Sequence, residues 1–390
     1  MGYIMRGGYR KGSGRKKKDI KKIGKKIYLS QEVLDYINKL SLEDCDSFSE
    51  KCNVLIKKAI NNIRNEEKGM AERKLKFIDL FAGIGGIRQG FEDENTECVF
   101  SSEWDKFAQK TYFENYGELP EGDITKIDAA DIPHHNVLLA GFPCQPFSMI
   151  GKREGFEHAT QGTLFFDVLR ILKYHMPEMF LLENVQGLLT IQEGKTFEII
   201  LNSLKEAGYA VQYKVLDAQN FGLPQVRKRV IIVGFRNDLN IKNFNIPEGN
   251  KNVRVPINSI LEDNPSGYSI TEHLQQNYLF KKNDGKPQVV NKKSTIQVKT
   301  LVATYHKIQR LTGTFVEGGE TGLRLFSKLE CKRLMGFPDD FKVPVSRTQM
   351  YRQFGNSVAV PMIEAVAKSM KDAYYNQLQE SSYQLKSITA

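Results

Sequence analysis

The 390-residue chain is long enough for two or three domains with a sizeable core, and its composition, 41% hydrophobic and 26% charged, matches soluble globular proteins. No apolar run approaches the roughly 18 residues of a membrane span, lysines interrupt any signal-peptide core, and five cysteines without CxxC spacing argue against a disulfide framework or a metal site and for a reducing, cytoplasmic setting. The net charge of +10 is local: residues 6–26 hold eleven Lys or Arg and one acid, Asp19, so the rest of the chain sums to zero.

Such a basic arm meets polyanions, nucleic acid above all, or is simply a solvated tail. Its Gly- and Lys-rich composition over 1–24 predicts disorder when free. Residues 25–64 read as a small unit. Lys26–Ser30 alternates like a short strand, and Val33, Leu34, Ile37 and Leu40 share one helical face. Ser47 and Glu50 have the spacing of a capping box. The helix it opens carries Cys52, Leu55, Ile56, Ala59, Ile60 and Ile63. Strand, helix and helix in this order resemble the ribbon-helix-helix DNA-binding dimers, in pattern and not through a specific motif. A helical hairpin packed on the main domain is the alternative.

After a polar linker at 65–74, apolar runs of strand length alternate with helical segments. Phe77–Phe81, Val137–Gly141, Met179–Leu182 and Val230–Gly234 are apolar nearly throughout, as in strands covered on both faces of a parallel sheet. The pattern predicts a doubly wound, mostly parallel α/β sheet over 75–236, with ligands beyond the carboxyl ends of its strands. Over 237–322, Asn, Lys and Gly are frequent and helical periodicity is weak, which predicts a smaller, irregular, strand-rich domain. The segment 323–390 returns to the main domain through a helix within Leu325–Met335 and a final helix over Ala359–Tyr374.

The residues that follow the strands carry the chemistry. In Asp79–Gly86, Gly83 and Gly85 fall where the first strand turns into a helix, which lets the backbone approach a ligand. Arg88 stands where a dinucleotide fingerprint has its third glycine, so the turn suits a pyrophosphate less well. Glu103 lies eighteen residues past Gly85, near the roughly twenty at which an acid meets ribose hydroxyls. Trp104, the only tryptophan, could cover an adenine face, and Gly122-Asp123-Ile124 offers a further contact at a third strand end. A lone thiol is more often a small buried hydrophobe than a nucleophile. Cys144, however, sits in a loop between Pro143 and Pro146 just past a buried strand, and Glu183-Asn184 ends the next. Thiol and carboxylate on one rim suggest covalent catalysis with proton transfer. The Gly-rich, basic stretch from Ser148 to Gln161 reads as a lid. Alternation sets Gln225, Arg227 and Arg229 on one face, as ligands of phosphate or carboxylate or as surface charge on an edge strand. Phe354–Val358 reads as a ligand-facing turn before the last helix.

Taken in order, Phe77–Gly86, Glu103-Trp104, Gly122–Ile124, Gly141–Ser148, Gly162–Asp167, Glu183–Val185, Gln225–Arg229, Arg333–Phe337 and Gln353–Val358 resemble the DNA (cytosine-5) methyltransferases of bacterial restriction–modification systems. The likeness spans residues 76 to about 375 and is carried by a specific series of motifs. It implies an S-adenosylmethionine-dependent fold with the donor held by Phe81, Gly83, Gly85, Glu103, Trp104, Asp123, Ile124, Pro143, Leu164, Asn356 and Val358. It implies Cys144 as nucleophile, with Glu183 holding a flipped cytosine and Arg227 and Arg229 supporting both. Gln145, Ser148, Arg153, Thr300 and Leu301 would meet the DNA, and 237–322 would be the target-recognition domain. The implied partners are double-stranded DNA and, without direct contact, a cognate restriction endonuclease; the N-terminal unit would dimerise and could repress its own operon.

Thr300–Tyr305, Phe341–Ser346 and Tyr351–Ser357 are similar to enzymes that modify the inner cytosine of CCWGG or CCNGG. Two other readings stand beside this one: an RNA cytosine-5 methyltransferase on the same scaffold, and a DNA-binding regulator without activity. The roughly eighty-five residues between Arg236 and Gly322 favour DNA over RNA, and the intact thiol and carboxylate argue against regulation as the sole role.

Overall fold

The structure, a computed structural model, describes residues 35, 37–38, 47–52, 54–57, 74–143 and 164–389, with side chains through 380. The basic arm, the strand at 26–30, most of the linker and Cys144, Gln145, Ser148 and Arg153 lie outside the described residues. The chain divides into two units, Met1–Arg73 and Lys74–Ala390. In the first, the capping box is formed: Ser47 Oγ accepts from the Glu50 amide at 3.2 Å, and Glu50 Oε2 accepts from the Ser47 amide at 3.1 Å. Residues 48–52 and 54–57 are helical, with Cys52 buried.

The second unit is built on a six-stranded sheet. Its strands are β1 (Leu75–Leu80), β2 (Thr96–Ser102), β3 (Val137–Ala140), β4 (Met179–Val185), β5 (Tyr209–Asp217) and β6 (Lys228–Arg236), in the spatial order β2-β1-β3-β4-β6-β5. The pairs β1–β2, β1–β3 and β3–β4 are parallel, whereas β6 runs antiparallel to both β4 and β5. The run Val230–Gly234 thus reads like a parallel strand and is not one. Burial on both faces makes it apolar, and its direction comes from the hairpin it forms with β5.

Alternation along the central strands feeds two cores. Phe77, Leu139, Leu181 and Val233 pack with α1 (Gly86–Phe91) and with the final helix. Ile78, Leu138, Phe180 and Ile232 pack with α3 (Leu164–His175) and α4 (Lys195–Glu206). Helices on both faces explain why β3 exposes nothing. The other helices of eight or more residues in this unit are α2 (Lys106–Tyr116), α5 (Lys328–Met335), α6 (Arg347–Asn356) and α7 (Val360–Thr389), the last running well beyond the expected Tyr374.

The expectation of a strand-rich segment over 237–322 is corrected. Its strands are short, β7 (Gln288–Val290) and β8 (Thr314–Glu317), joined by β9 (Leu323–Arg324) in a three-stranded sheet, and most of the rest is loop. A third core holds it: Ile257, Leu301, Tyr305, Phe315 and Phe326 pack with Leu334, Tyr351 and Phe354 of α5 and α6. A buried ion pair fastens the corner. Arg324 grips both oxygens of Glu330 at 2.7 and 2.8 Å, while Ser327 and Glu330 cap α5 reciprocally.

Candidate active site

At the carboxyl ends of β1, β2, β3 and β4 the strands open into a cleft of about 590 Å³. One wall begins where β1 ends. Phe81 has φ 55, a left-handed conformation that costs a bulky side chain roughly 1–2 kcal/mol, so the turn it starts is held against local preference. Gly83 follows and donates its amide to Glu103 Oε2 at 2.8 Å, while Glu103 Oε1 accepts from the Asp105 amide at 2.8 Å. Asp105 in turn caps α2 through the amides of Phe107 and Ala108. Two backbone amides therefore fix the Glu103 carboxylate at the rim. Burial raises its pKa, and these amides pull it back. Trp104 beside it is 78% exposed, with a free ring face.

Behind this wall lies a polar cluster that Arg88 organises. Its guanidinium reaches Glu92 at 2.8 Å, Glu118 at 3.0 Å and the Tyr112 hydroxyl at 3.1 Å, and it stacks 4.4 Å from the Tyr116 ring centroid. The residue that departs from the dinucleotide fingerprint thus points away from the cleft. Tyr116 closes the loop by donating its hydroxyl to the Gly85 carbonyl at 2.9 Å. A side chain at Gly85 would put its Cβ 2.3 Å from that tyrosine ring, and φ there is +80, so only glycine fits. Asp79 is buried alongside with neither carboxylate oxygen hydrogen-bonded; burial pushes its pKa up to about 7, against the pull of Arg88.

The opposite wall carries Glu183 at the end of β4. It is 8% exposed and pairs with Arg229 Nε at 2.9 Å, yet Oε1 has no hydrogen-bond partner of good geometry. The contact is an ion pair between two largely buried groups. Burial raises the Glu183 pKa, with Arg229 and then Arg227 opposing. Next to it, Asn184 Nδ2 donates to the Phe142 carbonyl at 2.9 Å, tying the chain two residues before Cys144 to the Glu183 strand end.

Arg227 overturns the edge-strand reading. It lies just before β6, is fully buried, and donates to the carbonyls of Leu301 at 2.9 Å, Gly355 at 3.0 Å and Ser357. Burial and Arg229 draw its pKa down to about 9. Gln225 is equally buried, its side chain joining the Leu301 amide to the Leu334 carbonyl. Of the three, Arg229 alone lines the cleft. Thr300 donates to the Val226 carbonyl at 2.6 Å and is half-buried, while Leu301 is a core residue with its side chain in the third core.

The structure brings Phe81, Gly83, Glu103, Trp104, Pro143, Glu183, Arg229, Asn356 and Val358 to the cleft. Gly85, Asp123, Ile124, Leu164 and Arg227 are not among its lining residues. Asp123 caps the turn after it through Thr125, beside the Glu103 strand end. Ile124 is buried with its carbonyl accepting from Arg170, and Leu164 opens α3. Sequence reasoning missed His306 and Lys307, and Gln349 on α6, which also line it, and it tied Thr304 and Arg352 to the target sequence where the structure sets them in the cleft wall as well. Gln349, Arg352 and Asn356 are spaced three and four apart, a polar helical stripe that could have been read. Among the described residues, no group of three His, Cys, Asp or Glu is arranged to hold a metal, and no helix is long and apolar enough to cross a membrane.

Comparison with known proteins agrees with this arrangement. The profile of the family described as C-5 cytosine-specific DNA methylase matches residues 75–372. The chain is 60% identical over 398 aligned positions to the type II methyltransferase M.BsuFI of Bacillus subtilis, covering 94% of this chain and 97% of that protein. Coverage that high reaches well into the first 73 residues, where the family profile does not extend. Identity is 54% to M.MspI of Moraxella sp, over 81% of this chain and 75% of that one, and 40% to M.HhaI of Haemophilus parahaemolyticus, over 75% and 93%. Among solved structures, a Spodoptera frugiperda DNMT2 variant shares the fold with a TM-score of 0.62 at 22% identity, covering 76% of this chain and 99% of that one. The S. pombe Dnmt2 methyltransferase does so with 0.59 at 23%, covering 78% and 98%. With a family profile covering most of its length and relatives this near, the chain belongs to the C-5 cytosine-specific DNA methylases.

Proposed function

We propose that this DNA cytosine-5 methyltransferase takes its methyl group from S-adenosylmethionine and acts on a cytosine flipped from duplex DNA, through a covalent adduct with Cys144. It protects that sequence from a partner restriction enzyme. The observation that carries the reading is the buried Glu183–Arg229 pair on the same rim as the amide-anchored Glu103, with Asn184 holding the chain that leads to Cys144.

The residues present fit the donor. A cleft of about 590 Å³ lies within the usual range for a small-molecule site, Glu103 offers a fixed carboxylate to hydroxyls, and Trp104 offers an open aromatic face. Asn356 and Val358 form the wall from the carboxyl-terminal side. S-adenosylmethionine, when bound, supplies an electrophilic methyl group.

Cytosine C5 is a poor nucleophile. Addition of the Cys144 thiolate to C6 turns the ring into an enamine, and C5 becomes reactive. Glu183 holds the N3 edge, and burial favours its protonated form, so the carboxyl can donate a proton as charge builds on the ring. After transfer, a base supplied by solvent takes the C5 proton, the freed electron pair restores the C5–C6 double bond as the C6–S bond breaks, the thiolate leaves, and N3 returns its proton to Glu183. A base inside the helix is out of reach, so the cytosine must be extruded. Arg227 does not touch the base in this scheme. It fastens the loops that form the pocket and lends positive charge to Glu183.

The test has two arms. Cys144→Ser is expected to lose methyl transfer to duplex DNA while binding S-adenosylmethionine as before. Duplex carrying 5-fluorocytosine, which cannot release a C5 proton, should become covalently attached to the wild type and not to the variant. Retained turnover by Cys144→Ser would sink the covalent mechanism. Bisulfite sequencing of DNA from expressing cells reads the target directly and tests CCWGG and CCNGG against all other sequences.

A further inference from the structure

Arg310 lies in the segment that follows Thr300 and Leu301, and its side chain is only 11% exposed although its neighbours are at the surface. Its guanidinium is spent on one loop. Nε donates to the Leu279 carbonyl at 2.8 Å, and Nη2 to the carbonyls of Lys282 at 3.0 Å and Lys286 at 3.1 Å; the same nitrogen pairs with the Asp284 carboxylate. Nε and the two hydrogens of Nη2, shared among three acceptors, fix the path of residues 279–286 from one planar group, a task for which an ammonium lacks the geometry. Leu279 anchors the start of the loop in the third core. The side chains left outside are Lys281, Lys282 and Lys286, all exposed, flanked by Tyr278 and Phe280, each 46% exposed. None of the three ammonium groups pairs with a carboxylate among the described residues.

The segment that carries Arg310 has a second side. Thr304, His306 and Lys307 line the catalytic cleft. Tyr305 between them is fully buried, stacked against Phe315 and Phe326, with its hydroxyl on the Thr314 carbonyl at 2.6 Å. Thr304 and Gln309 meet at 3.3 Å. A pinned, short stretch thus connects the cleft wall to the lysine-bearing loop. Below it, Lys299 donates to the Leu311 carbonyl at 2.8 Å, and burial and then the nearby Lys286 lower its pKa, which sets Lys299 close to the loop's lysines.

We infer that Arg310 is a positioning residue for target recognition: it holds residues 279–286 as a preformed platform that presents Lys281, Lys282 and Lys286 to DNA phosphates, in fixed register with the catalytic cleft. This rests on the reading of the chain as a DNA methyltransferase. Unpaired lysines interleaved with aromatic side chains suit a duplex backbone, and a preformed loop spares the ordering entropy that a free one would lose on binding.

The experiment uses the full-length enzyme, its target duplex and S-adenosylmethionine. Arg310→Lys and Arg310→Gln are expected to raise KM for DNA about tenfold, the effect of losing one or two hydrogen bonds. They should also increase methylation at non-cognate sites in bisulfite reads, with S-adenosylmethionine affinity near wild type. A second variant, Lys281→Ala/Lys282→Ala/Lys286→Ala, keeps the Arg310 contacts to the loop and should flatten the log–log salt dependence of DNA binding by about three units, one per phosphate contact. Unchanged DNA affinity and site fidelity in the Arg310 variants would overturn the inference. So would an equal loss of DNA and donor affinity, or an unaltered salt slope in the lysine variant. A wild-type enzyme that methylates no duplex would instead overturn the proposed function beneath it.

Discussion

The two walls of the cleft are assembled in different ways. The Gly83–Glu103 wall is local: a strand end, a turn and the next strand end, closed by backbone amides donating to one carboxylate. The Glu183 wall is composite: Arg227 gathers the carbonyls of Leu301, Gly355 and Ser357, residues far apart in the chain, and Arg229 comes from a neighbouring antiparallel strand. A wall made from contiguous sequence tolerates change elsewhere in the molecule. A wall made from distant pieces depends on one buried cation to hold them together.

Four substitutions sharpen or break this contrast. The largest effect is expected from Glu183→Gln, which keeps the shape of the side chain and removes its acid. Methyl transfer measured with tritiated donor should fall about 10²- to 10⁴-fold, with donor affinity intact. Loss of donor binding in that variant would mean that the two walls are not independent. Arg227→Met comes next. It leaves three carbonyls without their donor, so urea unfolding should show a loss on the order of 3–5 kcal/mol, with Arg227→Lys intermediate.

Asp79→Asn tests the cluster behind the local wall. The Asp79 pKa is raised to about 7 in the fold, chiefly by burial, from an ordinary carboxylate value when unfolded. The folded state therefore holds the proton more tightly. Stability is greatest below about pH 4 on this account and is lost as pH rises through 7. The Asn variant should gain on the order of a few kcal/mol at pH 8 and lose that slope in melts taken from pH 5 to 8. The smallest effect belongs to Tyr116→Phe, which removes the hydroxyl that holds the Gly85 carbonyl. About 1 kcal/mol should appear as a roughly fivefold weaker donor affinity, with KM for DNA unaltered. An equal change in both would show that the tyrosine acts on the whole fold.

The same contrast explains what could be read in the sequence. The local wall was legible because its parts keep a short spacing: Gly83, Gly85 and then Glu103 with Trp104. The sheet was legible because burial on both faces leaves unbroken apolar runs. The direction of β6 was not, since Val230–Gly234 is as apolar as a parallel strand and only its pairing with β5 turns it round. The burial of Arg227 was hidden for a related reason. An Arg-Lys-Arg series reads as surface charge until carbonyls from residues 301, 355 and 357 are known to surround it. Gly355 carries the same lesson: a Cβ there would lie 2.1 Å from the Ala303 amide nitrogen, a contact across fifty residues of chain. The irregular 237–322 segment offered no period to read, because its order comes from Tyr305, Arg310 and Arg324 acting on loops.

Asn356 and Val358 line the cleft, and Gly355 and Ser357 supply acceptors to Arg227, so four consecutive residues, far along the chain from Glu103 and Glu183, serve the pocket in two ways. Removing the residues from 355 onward would take away two of the three carbonyl partners of Arg227 and one wall of the cleft together, so a single short segment controls both the clamp and the pocket.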